Sequence, residues 1–194
     1  MATSSIAAGY LVPVEPIEAD DDFADILHDV IVGVTGLAGD LVRPRWQPEP
    51  PTQPDFNTNW AAFGVVRTES DVFSYQEHDP EDEGSDIVER DHTFHVLHSF
   101  YGPLCHGYCE MLRDGLAVAQ NRDVLAQHDT FVIEVQEATV LPALLKQKWV
   151  RRVDVTVLYR RRISRTYPVR TIQSVGQTVL DNEHYLTNLN VPQP

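Results

Sequence analysis

Between residues 152 and 160 every second side chain is apolar. Val153, Val155, Val157 and Tyr159 share one parity, and Asp154, Thr156, Leu158, Arg160 and Arg162 share the other. Successive strand side chains point to opposite faces, so this run predicts a long β-branched strand with one apolar face. Such a strand needs sheet neighbours on either side and a layer packed over that face. The first candidate layer runs from residue 22 to about 36, where Phe23, Ile26, Leu27, Val30, Ile31 and Val34 recur at helical spacing. Asp20, Asp21 and Asp22 suit its N-terminus, while Gly33 and Gly36 weaken and then end it. The second is marked by Leu104, Tyr108, Met111, Leu112, Gly115, Leu116 and Ala119, with Pro103 near the first turn. A short third helix is expected from 121 to 127.

Further strands are expected at 60–67, 72–76 and 92–101, the last with Phe94, Val96, His98 and Phe100 on one face. Residues 130–139 read as another, with Phe131, Ile133 and Val135 together on one side, and 169–180 as a final short strand or helix. The order lacks regular βαβ alternation. It predicts an α+β fold, a single domain over 1–194 with a mostly antiparallel or mixed sheet and two or three helices on one face. A chain of 194 residues, 42% of them apolar, can sustain a core of its own, burying roughly 70% of the surface its unfolded form exposes. No apolar run reaches the roughly 20 residues of a membrane span. The opening MATSSIAAGYLVPVEP has no basic start and is interrupted by Pro13 and Pro16, so we expect no signal peptide and a cytosolic chain, which the two closely spaced cysteines also suit.

Residues 41–58 hold five prolines, Pro44, Pro48, Pro50, Pro51 and Pro54, which forbid a helix and disfavour a central strand. Arg43, Arg45 and Trp46 within it point to an extended arm or edge segment that lies against something; a flexible linker would be richer in Gly and Ser. Charge is strongly segregated around it. Seventeen of the twenty-nine acids lie in 15–29 and 69–91, whereas 146–170 holds nine bases and a single acid, Asp154. The net charge of −14 argues against general nucleic-acid binding. Segregation suits charge-matched self-association, in which one copy's acids meet a neighbour's arginines; solvated faces of one monomer are the alternative.

Catalytic signatures are missing from the sequence: no Gly-x-Ser-x-Gly, His-Glu-x-x-His, phosphate loop or dinucleotide fingerprint occurs. His92, His95, His98, Cys105, His106 and Cys109 are zinc-type ligands at poor spacing, since His95 points away from His92 and His98 on a strand. Half-exposed histidines and two small core cysteines account for them better than a metal site does. The acidic loop over 79–86, with Glu81, Asp82, Glu83 and Asp86, lacks the ligand-and-glycine rhythm of a calcium loop and reads as a solvated loop. The cluster Arg160, Arg161, Arg162 and Arg165 admits phosphate binding, a charge-protected edge strand, or docking on an acidic partner, the reading preferred here. A polar tail is expected over 181–194.

Four motifs carry a resemblance: LVRPRWQPEPP (41–51), NWAAFGVV (59–66), HSFYGP (98–103) and RRVDVTVLYRRRISRTYPVRTI (151–172). Together they resemble the neck terminator, or tail terminator, proteins of long-tailed bacteriophages and prophages. The resemblance implies a small α+β virion protein without enzymatic activity or cofactor, assembled in the host cytoplasm. It would close the tail tube as a ring, typically of six copies, and join tail to head. Implied partners are further copies of itself, the tail tube protein, connector or adaptor proteins and, where present, a tail sheath. DNA would pass without specific binding, and no membrane is involved. On this reading Arg43, Arg45, Trp46, Pro48, Pro50, Pro51, Arg160, Arg161, Arg162, Arg165 and Tyr167 form subunit or tube contacts, while Glu81, Asp82, Glu83 and Asp86 face the channel. A head-completion adaptor on the portal, a metal-dependent hydrolase using the His/Cys cluster, and a cytosolic regulatory binding domain are the competing readings.

Overall fold

The computed structural model describes residues 9–16, 20–49, 51–81, 84–145, 147–169, 175–180 and 186–191. Its elements are α1 (Asp20–Thr35), a 3-10 turn (Gly39–Leu41), β1 (Val42–Pro44), β2 (Trp60–Ser70), β3 (Tyr75–Asp79) and β4 (Ser85–Tyr101), followed by α2 (Cys105–Ala117) and α3 (Ala119–Ala126). Then come β5 (Thr130–Val135), β6 (Thr139–Val140), β7 (Ala143–Leu145), β8 (Lys148–Val150), β9 (Arg152–Pro168), β10 (Val175–Leu180) and β11 (Leu186–Val191). The fold is α+β with a mixed seven-stranded sheet, in which β1-β2-β4-β9-β5 run side by side, β3 adds to β4 and β6 adds to β9. β1 is parallel to β2; β2 with β4, and β5 and β6 with β9, are antiparallel.

Two units are distinguished. The larger comprises 17–74 and 89–163. In it Val153, Val155, Val157 and Tyr159 of β9 are all buried, together with Ala61 and Phe63 of β2 and Val96 and Phe100 of β4. The helices cover this face with Phe23, Leu27, Val30, Ile31, Cys105, Cys109, Leu112, Leu116 and Leu125, and all these side chains form one cluster. The stripe expected in α1 faces the core, whereas that of α2 is corrected: Leu104, Met111 and Ala119 are exposed, and Cys105 and Cys109 join Leu112 and Leu116 as its buried side, because the helix begins at Cys105 and turns that face to the sheet. At the change from β4 to α2, Gly102 takes φ +106, and a Cβ there would lie 2.6 Å from the Thr58 carbonyl oxygen. Only glycine fits so tight a corner in that conformation. Asn59 then serves the start of α2, its Oδ1 accepting the Leu104 N–H at 2.8 Å.

Local readings differ from the structure at several points, the first being the strand expected at 72–76, which is corrected to Tyr75–Asp79 because the chain bends at Val72 and Phe73 and leaves both exposed. In β5 a register shift between Val132 and Glu134 breaks the alternation. Val132 and Val135 pack on the core while Phe131 and Ile133 are exposed, so the expected single face of Phe131, Ile133 and Val135 is corrected. A bulge adds one unpaired residue and flips the parity beyond it. β4 begins at Ser85, which places Asp86 on a strand rather than in a loop. The paired hairpin β7–β8, with Leu144 opposite Trp149, was not anticipated.

The smaller unit comprises 1–16, 75–88 and 164–194. There the Val14 N–H donates to the Thr166 carbonyl at 2.9 Å, and the Thr166 N–H to Glu15 Oε2 at 2.7 Å. The latter bond holds the Glu15 carboxyl below its ordinary range. Antiparallel β10 and β11 resolve the final segment, expected as a strand or helix, into a hairpin, and β11 lies within the stretch expected as a polar tail.

Candidate functional site

On the face of the sheet opposite the helices lies a different arrangement. Trp60 and Ala62 alternate with the core residues Ala61 and Phe63, and Tyr101 follows Phe100, so the second cluster of Trp60, Ala62, Tyr101 and Val150 occupies this side. The Trp60 and Tyr101 rings stack at 4.1 Å. Beside them the proline-rich arm begins as edge strand β1 and is tied down by its two arginines. Arg43 donates to the Asp40 carbonyl at 2.9 Å and to the Thr52 carbonyl at 2.8 Å, bridging both ends of the segment. Arg45 reaches under the arm to the Ser99 hydroxyl. Ser99 donates to Asp154 Oδ1 at 2.5 Å, and Arg152 grips the same carboxylate at 2.7 and 2.5 Å. Ser99 and Asp154 are buried, and the bond that Arg152 donates to Asp154 raises the Arg152 pKa above its ordinary value. A buried carboxylate is tolerated where charged donors surround it, as here.

This relay sets the direction of Trp46. The residue takes φ +57 and its ring lies over Gly64, where a Cβ would come within 2.7 Å of the indole. Its outer side is free, 71% exposed. Pro48 and Pro51 are exposed beyond it, and Pro50 lies outside the described residues. Residues not singled out from the sequence extend the apolar character of this side. Hairpin β7–β8 turns Ala143 and Val150 toward Trp60 and Tyr101, and the cross-strand pair Leu144 and Trp149 outward, with Trp149 73% exposed. Lys148 Nζ sits 4.2 Å over the Phe56 ring. The signal was the apolar sequence on either side of Lys-Gln-Lys (146–148), too brief to show a period.

The basic strand is placed differently. Arg160 pairs with Asp71 at 2.6 Å and Asp91 at 3.0 Å, and Arg162 pairs with Asp91 at 3.3 Å and Glu89 at 3.5 Å. Arg161 lies 5.5 Å over the Phe23 ring. Burial raises the Asp91 carboxyl pKa, and the hydrogen bonds from Arg160 and Arg162 more than offset it, so the net displacement is downward. Those same bonds, led by the one to Asp91, raise Arg160. The acid-rich stretch and the arginine block, remote in sequence, thus meet within one chain. In the smaller unit Arg165 is exposed and Tyr167 half-buried. Glu81 is exposed, Asp86 accepts from His78 Nδ1 at 2.7 Å, and Asp82 and Glu83 lie outside the described residues.

The histidines and cysteines do not converge. His92 bonds Ser70 at 2.8 Å, His95 faces Glu69 at 3.2 Å, and His106 is exposed. His98 is buried between Phe63 and Tyr159. Burial pushes both thiols up, that of Cys109 to about 11, which keeps them protonated and poor as nucleophiles. Among the described residues no three His, Cys, Asp or Glu side chains could hold a metal ion, and no helix is long and apolar enough to cross a membrane. A shallow groove of about 270 Å³ between α3 and β5, lined by Ala119, Arg122, Asp123, Ala126, Phe131 and Val132, holds no pair of groups poised for acid–base work.

The most developed feature is therefore a surface: two exposed tryptophans held on a face stiffened by a buried ionic relay. Compared with models of known families, residues 21–183 match the one described as phage neck terminator protein. A comparison with curated proteins finds no match.

Proposed function

The chain belongs to the phage neck terminator family, a structural family of the bacteriophage neck, and from that premise we propose that it assembles as a ring, of six copies, that closes the tail tube and joins it to the head connector. The matched span draws on residues of both units, and we read them as parts of one subunit. The observation that carries this reading is Trp46, a large aromatic side chain held in a left-handed backbone conformation against Gly64 with most of its surface bare. Exposed aromatic anchors on rigid supports are what interfaces are built around, and such residues dominate binding energy.

In this scheme the arm, with Arg43, Arg45, Trp46, Pro48, Pro50 and Pro51, makes the principal contact with a neighbouring subunit or the tube. Arg43 and Arg45 act by fixing the arm. Arg160, Arg161, Arg162, Arg165 and Tyr167 take a lesser part, since Arg160 and Arg162 already have acids of their own chain. Glu81, Asp82, Glu83 and Asp86 face the channel, where negative walls leave phosphates unneutralised and let DNA slide. Partners are further copies, the tail tube protein and the connector, in the virion neck.

The test is the mass of the purified protein in solution and its appearance by electron microscopy, with and without tube protein of the same phage, for wild type and Trp46→Ala. Rings or capped tubes are expected for the wild type. Loss of an anchor weakens association by about 2 kcal/mol or more, roughly thirtyfold. A wild type that never forms rings and never binds tubes overturns the reading; assembly unchanged by Trp46→Ala restricts the arm to packing on its own subunit.

A further inference from the structure

The larger unit carries two surfaces of opposite charge on opposite sides of one sheet. On the helix side, Asp22, Asp25 and Asp29 of α1 are exposed and recur at i, i+3 and i+7, forming a single acidic stripe. One turn further along the stripe stands Gly33, exposed, with open space where a side chain would be. On the other side, hairpin β7–β8 presents Trp149 and Leu144, and next to them Lys148 and Arg151, both exposed. Unlike Arg152, Arg160 and Arg162, these two bases have no ion pair among the described residues.

Resting on the ring reading above, we propose that the hairpin β7–β8 is the seat for helix α1 of a second copy of this chain, with Lys148 and Arg151 against the neighbour's Asp25 and Asp29 and the Trp149 indole over its bare Gly33. The argument is complementarity of both charge and shape. A cationic rim around an aromatic knob meets an anionic stripe that ends in a gap. Because the helix layer and the hairpin lie on opposite faces of the same sheet, one molecule cannot satisfy its own pair. The contact is then heterologous, the head-to-tail type that closes into a ring when the rotation between copies allows. Opposed charges also fix which partner and which register are accepted.

A charge-swap experiment on the full chain decides this, read by sedimentation and by electron microscopy with and without tube protein, with circular dichroism as the check on folding. Lys148→Glu/Arg151→Glu and, separately, Asp25→Lys/Asp29→Lys are each expected to weaken self-association about tenfold or more, because like charges are then juxtaposed. Combining all four substitutions restores the pairing with its signs exchanged and is expected to recover most of the loss, which a merely local effect of either surface would not do. Self-association undiminished in both doubles overturns the proposal while leaving the ring reading intact. So does a folded quadruple variant that fails to recover. Loss of tube binding with rings preserved in the hairpin double assigns β7–β8 to the tube and likewise overturns it. A wild type that never self-associates overturns both.

Discussion

Strand β9 shows two ways of burying a side chain within a few residues. Toward the helices, Val153, Val155, Val157 and Tyr159 disappear into an apolar cluster contributed by every helix. On the other face Asp154 is only 7% exposed, and its burial is compensated because Ser99 and Arg152 bond to it and Arg45 bonds to Ser99. Apolar burial is non-directional and proportional to area, so the helix layer supplies stability and tolerates substitutions of similar volume. The ionic relay contributes less net stability than its bond count suggests, since desolvation offsets much of the attraction. What it adds is direction: only one placement of the arm lets Arg45 reach Ser99, and that placement lays Trp46 on Gly64. One face holds the molecule together, and the other aims a surface.

The sharpest way to break this contrast is Asp154→Ala. Removing one partner of a buried charged network leaves Arg152 and the Ser99 hydroxyl without their acceptor and frees the Ser99 side chain that Arg45 bonds, and a loss of about 3–5 kcal/mol in denaturant unfolding is expected. Leu112→Ala, in the helix layer, falls in a similar range, about 2–5 kcal/mol, from lost transfer energy and the cavity left behind. The two differ in what happens to the folded fraction. Asp154→Ala is expected to loosen the arm, seen as faster proteolysis within 45–58 and a changed Trp46 environment, whereas Leu112→Ala leaves the arm as it was. Equal arm protection in both variants would show that the relay does not position Trp46.

A smaller, pH-dependent effect comes from the one histidine in the apolar layer. His98 is fully enclosed, neither ring nitrogen has a partner among the described residues, and burial, with a contribution from the Arg45 charge, lowers its pKa to about 3. The folded protein therefore keeps the imidazole neutral, while the unfolded chain protonates it near the ordinary value of about 6.5. Below that value the unfolded state binds the additional proton, so stability falls as pH falls, by up to about 1.4 kcal/mol per pH unit until the folded value is reached. Above about pH 7 His98 contributes no slope. His98→Leu is expected to flatten the acid limb by that amount when midpoints are compared at pH 7.5, 5.5 and 4.5. Parallel limbs for the two proteins would mean that the imidazole titrates normally in the folded state.

Periodicity carried what is local. The alternation of 152–162, the stripe of Phe23 to Val34 and that of Leu104 to Leu116 each became the element they implied, because a helix or a strand with one dry face must repeat its apolar residues at its own period. Three things had no local trace. The bulge beside Ile133 turns Phe131 outward and Val132 inward, and nothing in TFVIEV distinguishes that from regular alternation. The pairing of Asp91 with Arg160 joins residues on neighbouring strands β4 and β9, a product of strand order that a charge count along the chain does not contain. The same holds for Trp46. Its place in an Arg-Pro-Arg-Trp arm was legible, and the motif carried the resemblance that the family match supports, but its seat on Gly64 arises only when β1 aligns beside β2.

The smallest expected effect distinguishes arginines that face inward from bases that face outward. Arg160 is 42% exposed and shared between Asp71 and Asp91, and exposed ion pairs of this kind contribute about 0–1 kcal/mol. Arg160→Ala is therefore expected to cost no more than about 1 kcal/mol of stability at low salt, fading as the screening length drops to roughly 3 Å near 1 M. Self-association should change little, because the charge removed was already answered by acids of its own chain. Lys148 and Arg151, which have no such answer among the described residues, are expected to show the reverse pattern, with stability nearly unchanged and association reduced. Measuring unfolding and sedimentation for Arg160→Ala at two salt concentrations tests that division. If association falls more than stability does, the guanidinium is shared with a neighbour as well as with Asp71 and Asp91, and the basic strand belongs with the arm among the principal contacts.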